Sequence, residues 1–209
     1  MRRTVPRHVH HMLMLLSLLT LLPATTAAGP AGWTGDQQAA AEVQAAYTKF
    51  GAARAYRQRM TIAGQGGTFT QTMEIVVPDR VRMSGMPGSP PNFEIIVIGG
   101  ETWARGPGVA GGCAKLPAAG VRRPNPREGV DHPADAKITV ARGGPQTVEG
   151  TATQLYNLTI EAQNRQTQQK VYVATGTGQL RRIETTSDQG AVTIDYFDFD
   201  APITINAPC

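Results

Sequence analysis

Residues 153–173 read TQLYNLTIEAQNRQTQQKVYV. Apolar and polar side chains alternate along residues 153–162, which is the period of a strand with one buried face, and strand character returns at residues 169–173. Asn164 and Arg165 stand between the two runs, where a hairpin needs turn residues. The stretch therefore predicts two antiparallel strands joined by a hairpin.

The same pattern recurs on both sides of this hairpin. Glycine- or proline-containing turns separate the runs, and a Gly/Pro-rich segment at residues 106–136 predicts a long loop. About a dozen short strands linked by short turns indicate an antiparallel sheet that is large enough to curl. The further predicted strands are residues 56–62, 68–77, 81–83, 93–98, 101–105, 137–141, 146–149, 179–185, 191–197 and 202–208.

One amphipathic helix is predicted before the strands, at residues 34–53. Thr34 and Gln37 have the spacing of a capping box at its start. A helix with a single apolar stripe must bury that stripe, so we expect it to cover the hollow of the curled sheet. The stripe consists of Val43, Tyr47 and Phe50.

The N-terminus has the order of a cleaved secretory signal. Basic residues precede an uncharged apolar run, and small residues follow it. The run is shorter than the roughly 20 residues that a membrane-spanning helix needs, and no cysteine follows it to carry a lipid anchor. We therefore expect a signal peptide at residues 1–28, a single domain at residues 29–209, and an exported, periplasmic protein.

The net charge argues against a nucleic-acid partner. Three of the 20 Lys+Arg residues lie in residues 1–28, and none of the 16 Asp+Glu residues do, which leaves 17 basic residues against 16 acidic ones. Nucleic-acid binding needs a concentrated basic surface. An almost neutral domain does not provide one.

Cys113 and Cys209 are the two cysteines of the chain. In an oxidising compartment such a pair is expected to form a disulfide. The bond would tie down the last residue and contribute about 4–5 kcal/mol in the chain-entropy model. The alternative is a catalytic thiolate at Cys113 acting with His132, but such a thiolate requires an electropositive site and no other pattern in the sequence supplies one.

Residues for catalysis or metal binding are sparse. His132 is the only histidine beyond residue 28, which argues against a histidine-based metal site, and no G-x-S-x-G motif is present. Asp195, Asp198 and Asp200 alternate with aromatic residues, so a solvated sheet edge is favoured over a calcium or glycosidase site. We expect a protein that is not an enzyme and uses no metal or cofactor.

Several elements of the second half of the chain follow one another in a recognisable order: residues 147–150 (TVEG), Tyr156, residues 171–173 (VYV), 175–184 (TGTGQLRRIE) and 194–208 (IDYFDFDAPITINAP). In this order they resemble the bacterial lipoprotein-carrier superfamily, the LolA/LolB-like and LppX-like periplasmic proteins. The resemblance implies a mainly β fold, a curled antiparallel half-barrel of about eleven strands. In it, an N-terminal amphipathic helix covers an apolar concave face that holds acyl chains. The family places helical cover in mid-chain, where this sequence is rich in Gly and Pro.

The function expected from these observations is that of a carrier or receptor for acyl chains. Its partner would be a lipid or an acylated lipoprotein, with an envelope membrane protein as a further candidate, and the protein would act as a monomer. The alternative is an envelope regulatory or sensor protein that uses the same fold to bind a partner protein. The residues expected to line the cavity are Val43, Tyr47 and Phe50, facing Met73, Ile75 and Phe93, together with Val81, Met83, Ile95, Val97, Trp103, Leu158, Ile160 and Ile194.

Overall fold

The computed structural model describes residues 32–64, 67–117, 130–187 and 190–209. The predicted signal peptide, and the part of the predicted loop between residues 118 and 129, lie outside these ranges. The helix α1 spans Gln37–Gly51. The described strands are β1 (Trp33–Gly35), β2 (Ala55–Gly64), β3 (Gly67–Val76), β4 (Arg80–Ser84), β5 (Glu94–Ile98), β6 (Glu101–Arg105), β7 (Cys113–Leu116), β8 (Lys137–Val148), β9 (Thr151–Ala162), β10 (Arg165–Ala174), β11 (Leu180–Ser187) and β12 (Gly190–Phe197).

All of these strands belong to one sheet. Its order is β1-β8-β9-β10-β11-β12-β2-β3-β4-β5-β6-β7. Every neighbouring pair is antiparallel except β1 and β8, which are parallel. The sheet is open, with β1 and β7 as its edges, so the predicted half-barrel is confirmed with twelve strands instead of about eleven.

The sheet has one apolar face and one charged face because side chains alternate along each strand. Met73 lies opposite Met83 in the β3–β4 ladder, and both are buried, whereas the next pair along, Glu74 and Arg82, forms an ion pair on the other side. We call the apolar side the concave face and the charged side the convex face. Buried side chains from β8 and from β5 belong to one continuous cluster, so the sheet curls around its concave face.

Helix α1 lies on the concave face and begins three residues later than predicted. Thr34 belongs to β1, where its hydroxyl lies 3.0 Å from that of Thr139, so the predicted capping box is wrong. Gly35 ends β1 at a φ of +87°, where a Cβ would approach the Val140 carbonyl oxygen to 2.3 Å. Asp36 then caps the helix, with its Oδ1 accepting from the Ala39 amide at 2.9 Å.

The C-terminal tail crosses the convex face instead of forming the strand predicted at residues 202–208. Arg80 and Arg82 of β4 donate to the carbonyl oxygens of Ile205 and Thr204. Prolines within the tail lack the N–H that a ladder needs, so side chains hold it in place. The predicted disulfide between Cys113 and Cys209 is present, with a Cα–Cα distance of 6.2 Å, and it fastens the tail to β7.

Two other boundaries differ from the predictions. The strands predicted at residues 137–141 and 146–149 are one strand, β8, whose register shifts around Gly143 and Gly144. Strand β7 lies inside the predicted loop of residues 106–136, directly after a 3₁₀ turn at residues 110–112. This strand could not be recognised from the local sequence pattern, because it is short and follows directly on a glycine-rich stretch.

Candidate ligand-binding site

The concave face gathers almost all of the residues expected to line a cavity. Phe93 packs at the border of the buried cluster. Trp103 lies on the convex face, because it pairs with Ile96 and Lys115 while its neighbours Thr102 and Ala104 point to the concave side. The predicted residues inside the cluster are Val43, Tyr47, Phe50, Met73, Ile75, Val81, Met83, Ile95, Val97, Leu158, Ile160 and Ile194.

One end of the concave face is filled by aromatic rings. Phe50 of α1 lies 4.9 Å from Tyr56 and 5.0 Å from Tyr196, measured between ring centroids, and Phe199 closes the group at 6.3 Å from Phe50. We call this the closed end. These rings pack against one another, so the closed end contributes stability and fixes the helix on the sheet.

The other end of the concave face is hollow. A cavity of about 350 Å³ lies between the sheet and the segment that contains His132 and Pro133. We call it the open-end cavity. The other described residues of its lining come from strands β9, β10, β11 and β12 and are Ile160, Ala162, Arg165, Thr167, Gln169, Thr185, Val192 and Ile194.

Side-chain size explains why the cavity lies here. Thr167 of β10 stands opposite Ile160 of β9, and Thr185 of β11 stands opposite Val192 of β12. These threonines are shorter than the aromatic residues that occupy concave positions at the closed end, and the space they leave is not filled. Of the predicted lining residues, Ile160 and Ile194 are the ones that line this cavity.

A polar contact from α1 borders the cavity. The Tyr47 hydroxyl donates to Gln169 Oε1 at 3.2 Å, and Gln169 Nε2 donates to the Thr185 hydroxyl at 3.5 Å. Burial raises the pKa of Tyr47 well above its usual value, so this hydroxyl keeps its proton. The helix is thereby tied to two strands of the cavity wall.

His132 forms part of the cover of the cavity. Its ring lies 6.5 Å from that of Trp33 and 6.0 Å from that of Tyr47, between centroids. Burial lowers the pKa of His132, and the negative charge of Asp131 opposes this shift. Nε2 of His132 is buried and finds no hydrogen-bond partner within the described part of the chain.

A cluster of hydrogen-bonded side chains holds α1 to the sheet beside a second depression of about 530 Å³. Glu42 accepts hydrogen bonds from Arg142, at 2.6 Å, and from the Tyr156 hydroxyl, and the guanidinium lies over the Tyr156 ring. The Arg142 hydrogen bond is the main reason why the pKa of Glu42 is lowered. Because these groups already bond to one another, they are less available to a ligand than the polar groups of the open-end cavity.

The carboxylates singled out in the sequence lie outside the open-end cavity, where arginine side chains or a main-chain amide donate to them. Asp195 is 4 % exposed and receives hydrogen bonds from Arg59 and Arg182 on the convex face. It is therefore not at a solvated edge as predicted, because the ion pairs compensate its burial. Within the described residues, no group of three His, Cys, Asp or Glu side chains is arranged to hold a metal ion.

Comparison with known structures finds proteins of similar fold. The Mycobacterium tuberculosis lipoprotein LppX superposes with a TM-score of 0.62 at 11% identity, over 82% of this chain and 100% of that one. LprF from Mycobacterium bovis superposes with a TM-score of 0.59 at 14% identity, over 84% of this chain and 99% of that one. The chain has an LppX-like fold. The comparison confirms the fold that the sequence resemblance implied.

The likeness to LppX and LprF is one of structure. Scans against protein-family models and a search of curated proteins by sequence gave no match. At these identities the likeness shows the fold alone. What the cavity binds has to be inferred from the residues of this chain. No helix in the described ranges is both long enough and apolar enough to cross a bilayer.

The sequence prediction missed the polar part of the lining. Thr167 and Gln169 share the concave face of β10 with Val171, at the spacing of two that places residues on one side of a strand. The prediction of the cavity lining did not include them because it considered apolar residues alone. His132 was considered as the partner of a catalytic thiolate at Cys113, but that sulfur is committed to the disulfide.

Proposed function

We propose that the protein is an exported, periplasmic carrier or receptor that binds the acyl chain of a lipid or acylated lipoprotein in the open-end cavity. The observation that carries the proposal is a hollow with an apolar floor on the concave face. Its volume falls within the roughly 300–1,000 Å³ typical of ligand pockets. The LppX-like fold and the resemblance to lipoprotein carriers support the same role.

The floor of the cavity suits a flexible chain better than a rigid polar molecule. Ile160, Val192 and Ile194 present apolar side chains that continue into the buried cluster. Each methylene group that leaves water for such a surface contributes about 0.8 kcal/mol. Affinity would therefore grow with chain length until the hollow is full.

A role in binding, and not in catalysis, is part of the proposal. The Cys113 sulfur is unavailable as a nucleophile because it is bonded to Cys209. Burial favours the neutral form of His132, and its ring packs against aromatic side chains beside an apolar floor. This environment favours retention of a ligand over turnover.

The test is saturable binding of a long-chain fluorescent acyl probe to wild type and to two variants of β12. Val192→Phe places a ring in the cavity and should abolish or strongly weaken binding. Thr193→Phe is the matched control, because Thr193 is the next residue and points to the convex face, opposite Glu184 and Thr61. Equal binding by both variants would place the ligand elsewhere, and a folded wild type that binds no probe would refute the carrier role.

A further inference from the structure

Among the described residues, the lining of the open-end cavity combines an apolar floor with one permanent charge. Arg165 is the only lining residue in the described structure that carries a full charge at neutral pH. It follows the turn between β9 and β10 and stands directly opposite Ala162, on the concave face. A positive group at one side of an apolar hollow is the arrangement that an amphiphile with an acidic head requires.

The guanidinium of Arg165 is available to a ligand. Its side chain is exposed, and within the described residues no carboxylate lies within ion-pairing distance of it. Arg165 also borders a neighbouring depression. The other charged residues there are Asp135, Lys137 and Glu161, whose formal charges sum to −1. Other arginines of the sheet, such as Arg59 and Arg182, are already engaged by acidic side chains.

His132 offers the cavity a second donor. Its Nε2 is buried without a hydrogen-bond partner in the described chain, and the same residue lines the cavity. A neutral imidazole carries one N–H, which either ring nitrogen can hold. An anionic oxygen in the cavity would select the form with the proton on Nε2 and would satisfy an atom that is otherwise left without a bond.

We infer that the open-end cavity selects single-chain lipids with an anionic head group, a carboxylate or a phosphate, held by Arg165 and His132. The chain would lie over Ile160, Val192 and Ile194, and the head group would accept hydrogen bonds from the Arg165 guanidinium and from the His132 ring. The planar fork of an arginine matches the two oxygens of such an anion. This inference rests on the proposed function and adds the class of ligand to it.

The test compares ligands that share one chain and differ in the head group. Palmitate, hexadecyl phosphate and 1-hexadecanol compete with a neutral fluorescent long-chain alcohol for the wild-type protein, each below its micelle concentration. A charge-assisted hydrogen bond is strong enough that the anionic ligands should bind about tenfold or more tightly than hexadecanol. The ranking of palmitate against hexadecyl phosphate identifies which anion the site prefers.

Variants assign the preference to the two residues. Arg165→Gln should bring the affinities for the anions close to the affinity for hexadecanol. His132→Phe keeps an aromatic ring against Trp33 and Tyr47 and should reduce the preference in part. Lys170→Gln is the control, because it removes the same charge from the same strand and lies among charged side chains, 3.9 Å from Glu184.

The outcomes separate the two proposals. Equal affinity of wild type for hexadecanol and for both anions would overturn the inference and leave the carrier role standing. A preference that survives Arg165→Gln and His132→Phe would likewise overturn it. Failure of every ligand, hexadecanol included, to displace the probe would overturn the proposed function and this inference together.

Discussion

The two ends of the concave face are built from the same strands and differ in what fills them. Strand β12 contributes Tyr196 to the closed end and Val192 to the open end, four residues apart on the same side. At the closed end Phe50 packs its ring against Tyr196, whereas at the open end Thr185 stands opposite Val192 and leaves a hollow. Side-chain volume, more than the path of the backbone, therefore determines where a ligand can lie.

Removing the disulfide should lower the stability of the protein strongly without changing its affinity for the probe. The double variant Cys113→Ser, Cys209→Ser releases a link between residues 96 positions apart, which should lower the free energy of unfolding by about 4–5 kcal/mol. The bond lies on the convex face, so probe affinity at the open end should stay the same while the protein is folded. Urea unfolding and probe titration measure the two effects, and a parallel loss of affinity would mean that the tail shapes the cavity.

Phe50→Ala should lower the free energy of unfolding by about 3–5 kcal/mol, because it opens a void among buried rings. Val192→Ala, at the open end, should cost about 1 kcal/mol, because it enlarges a space that is already empty. Thermal and urea unfolding of the two variants provide the measurement. Similar losses for both would contradict the distinction between the two ends.

Two buried glutamines on the concave face should respond in opposite directions. Gln58 is 1 % exposed and its Oε1 has no partner in the described structure, whereas Gln169 is 4 % exposed and bonds to Tyr47 and Thr185. Gln58→Met should raise the free energy of unfolding by about 1–2 kcal/mol, since it removes an unsatisfied polar atom at similar volume. Gln169→Met should lower it, and a loss of stability in both variants would show that Gln58 has a role that its contacts do not reveal.

The cover of the open end should weaken on acidification. The pKa of His132 is lowered in the folded protein, so the unfolded chain binds a proton first as the pH falls through about 6.5. The contribution of the neutral ring is therefore complete above this pH and is lost as the pH falls towards the lower, folded-state value. His132→Phe removes this dependence, so its unfolding free energy relative to wild type should improve between pH 7.5 and pH 5.5.

Glu42 provides the internal check on that experiment. Its pKa is also lowered, through Arg142, so its contribution is complete above the usual value of 4.5 and is lost only below it. The wild type and the His132 variant share this second loss. A difference between the two proteins that first appears below pH 4.5 would assign the effect to a group other than His132.

Alternation in the sequence was enough to predict the filled part of the concave face. Met73, Ile75 and Leu158 lie where a period of two places them, because a sheet with one buried face strongly penalises a shift of one residue. The prediction for Trp103 is wrong because a large apolar residue in this sheet can also be buried on the convex face. The convex face also buries apolar side chains, Ile96 and Ile205 among them, where the C-terminal tail crosses it.

The hollow itself could not be predicted from local pattern. It exists because Thr167 and Thr185, on different strands, line the same space as His132, which comes from a distant segment of the chain. No one of these residues has an unusual neighbourhood in the sequence. An empty space is a property of side chains that come together in three dimensions, and its signal is distributed over the whole fold.

The attachment of the C-terminus has a practical consequence for work with this protein. The bond between Cys209 and Cys113 anchors the tail at strand β7, on the side of the sheet that faces away from the cavity. A fluorophore, affinity tag or surface linker fused after Cys209 would therefore point away from the ligand. Immobilisation through that end leaves the open-end cavity facing the solution.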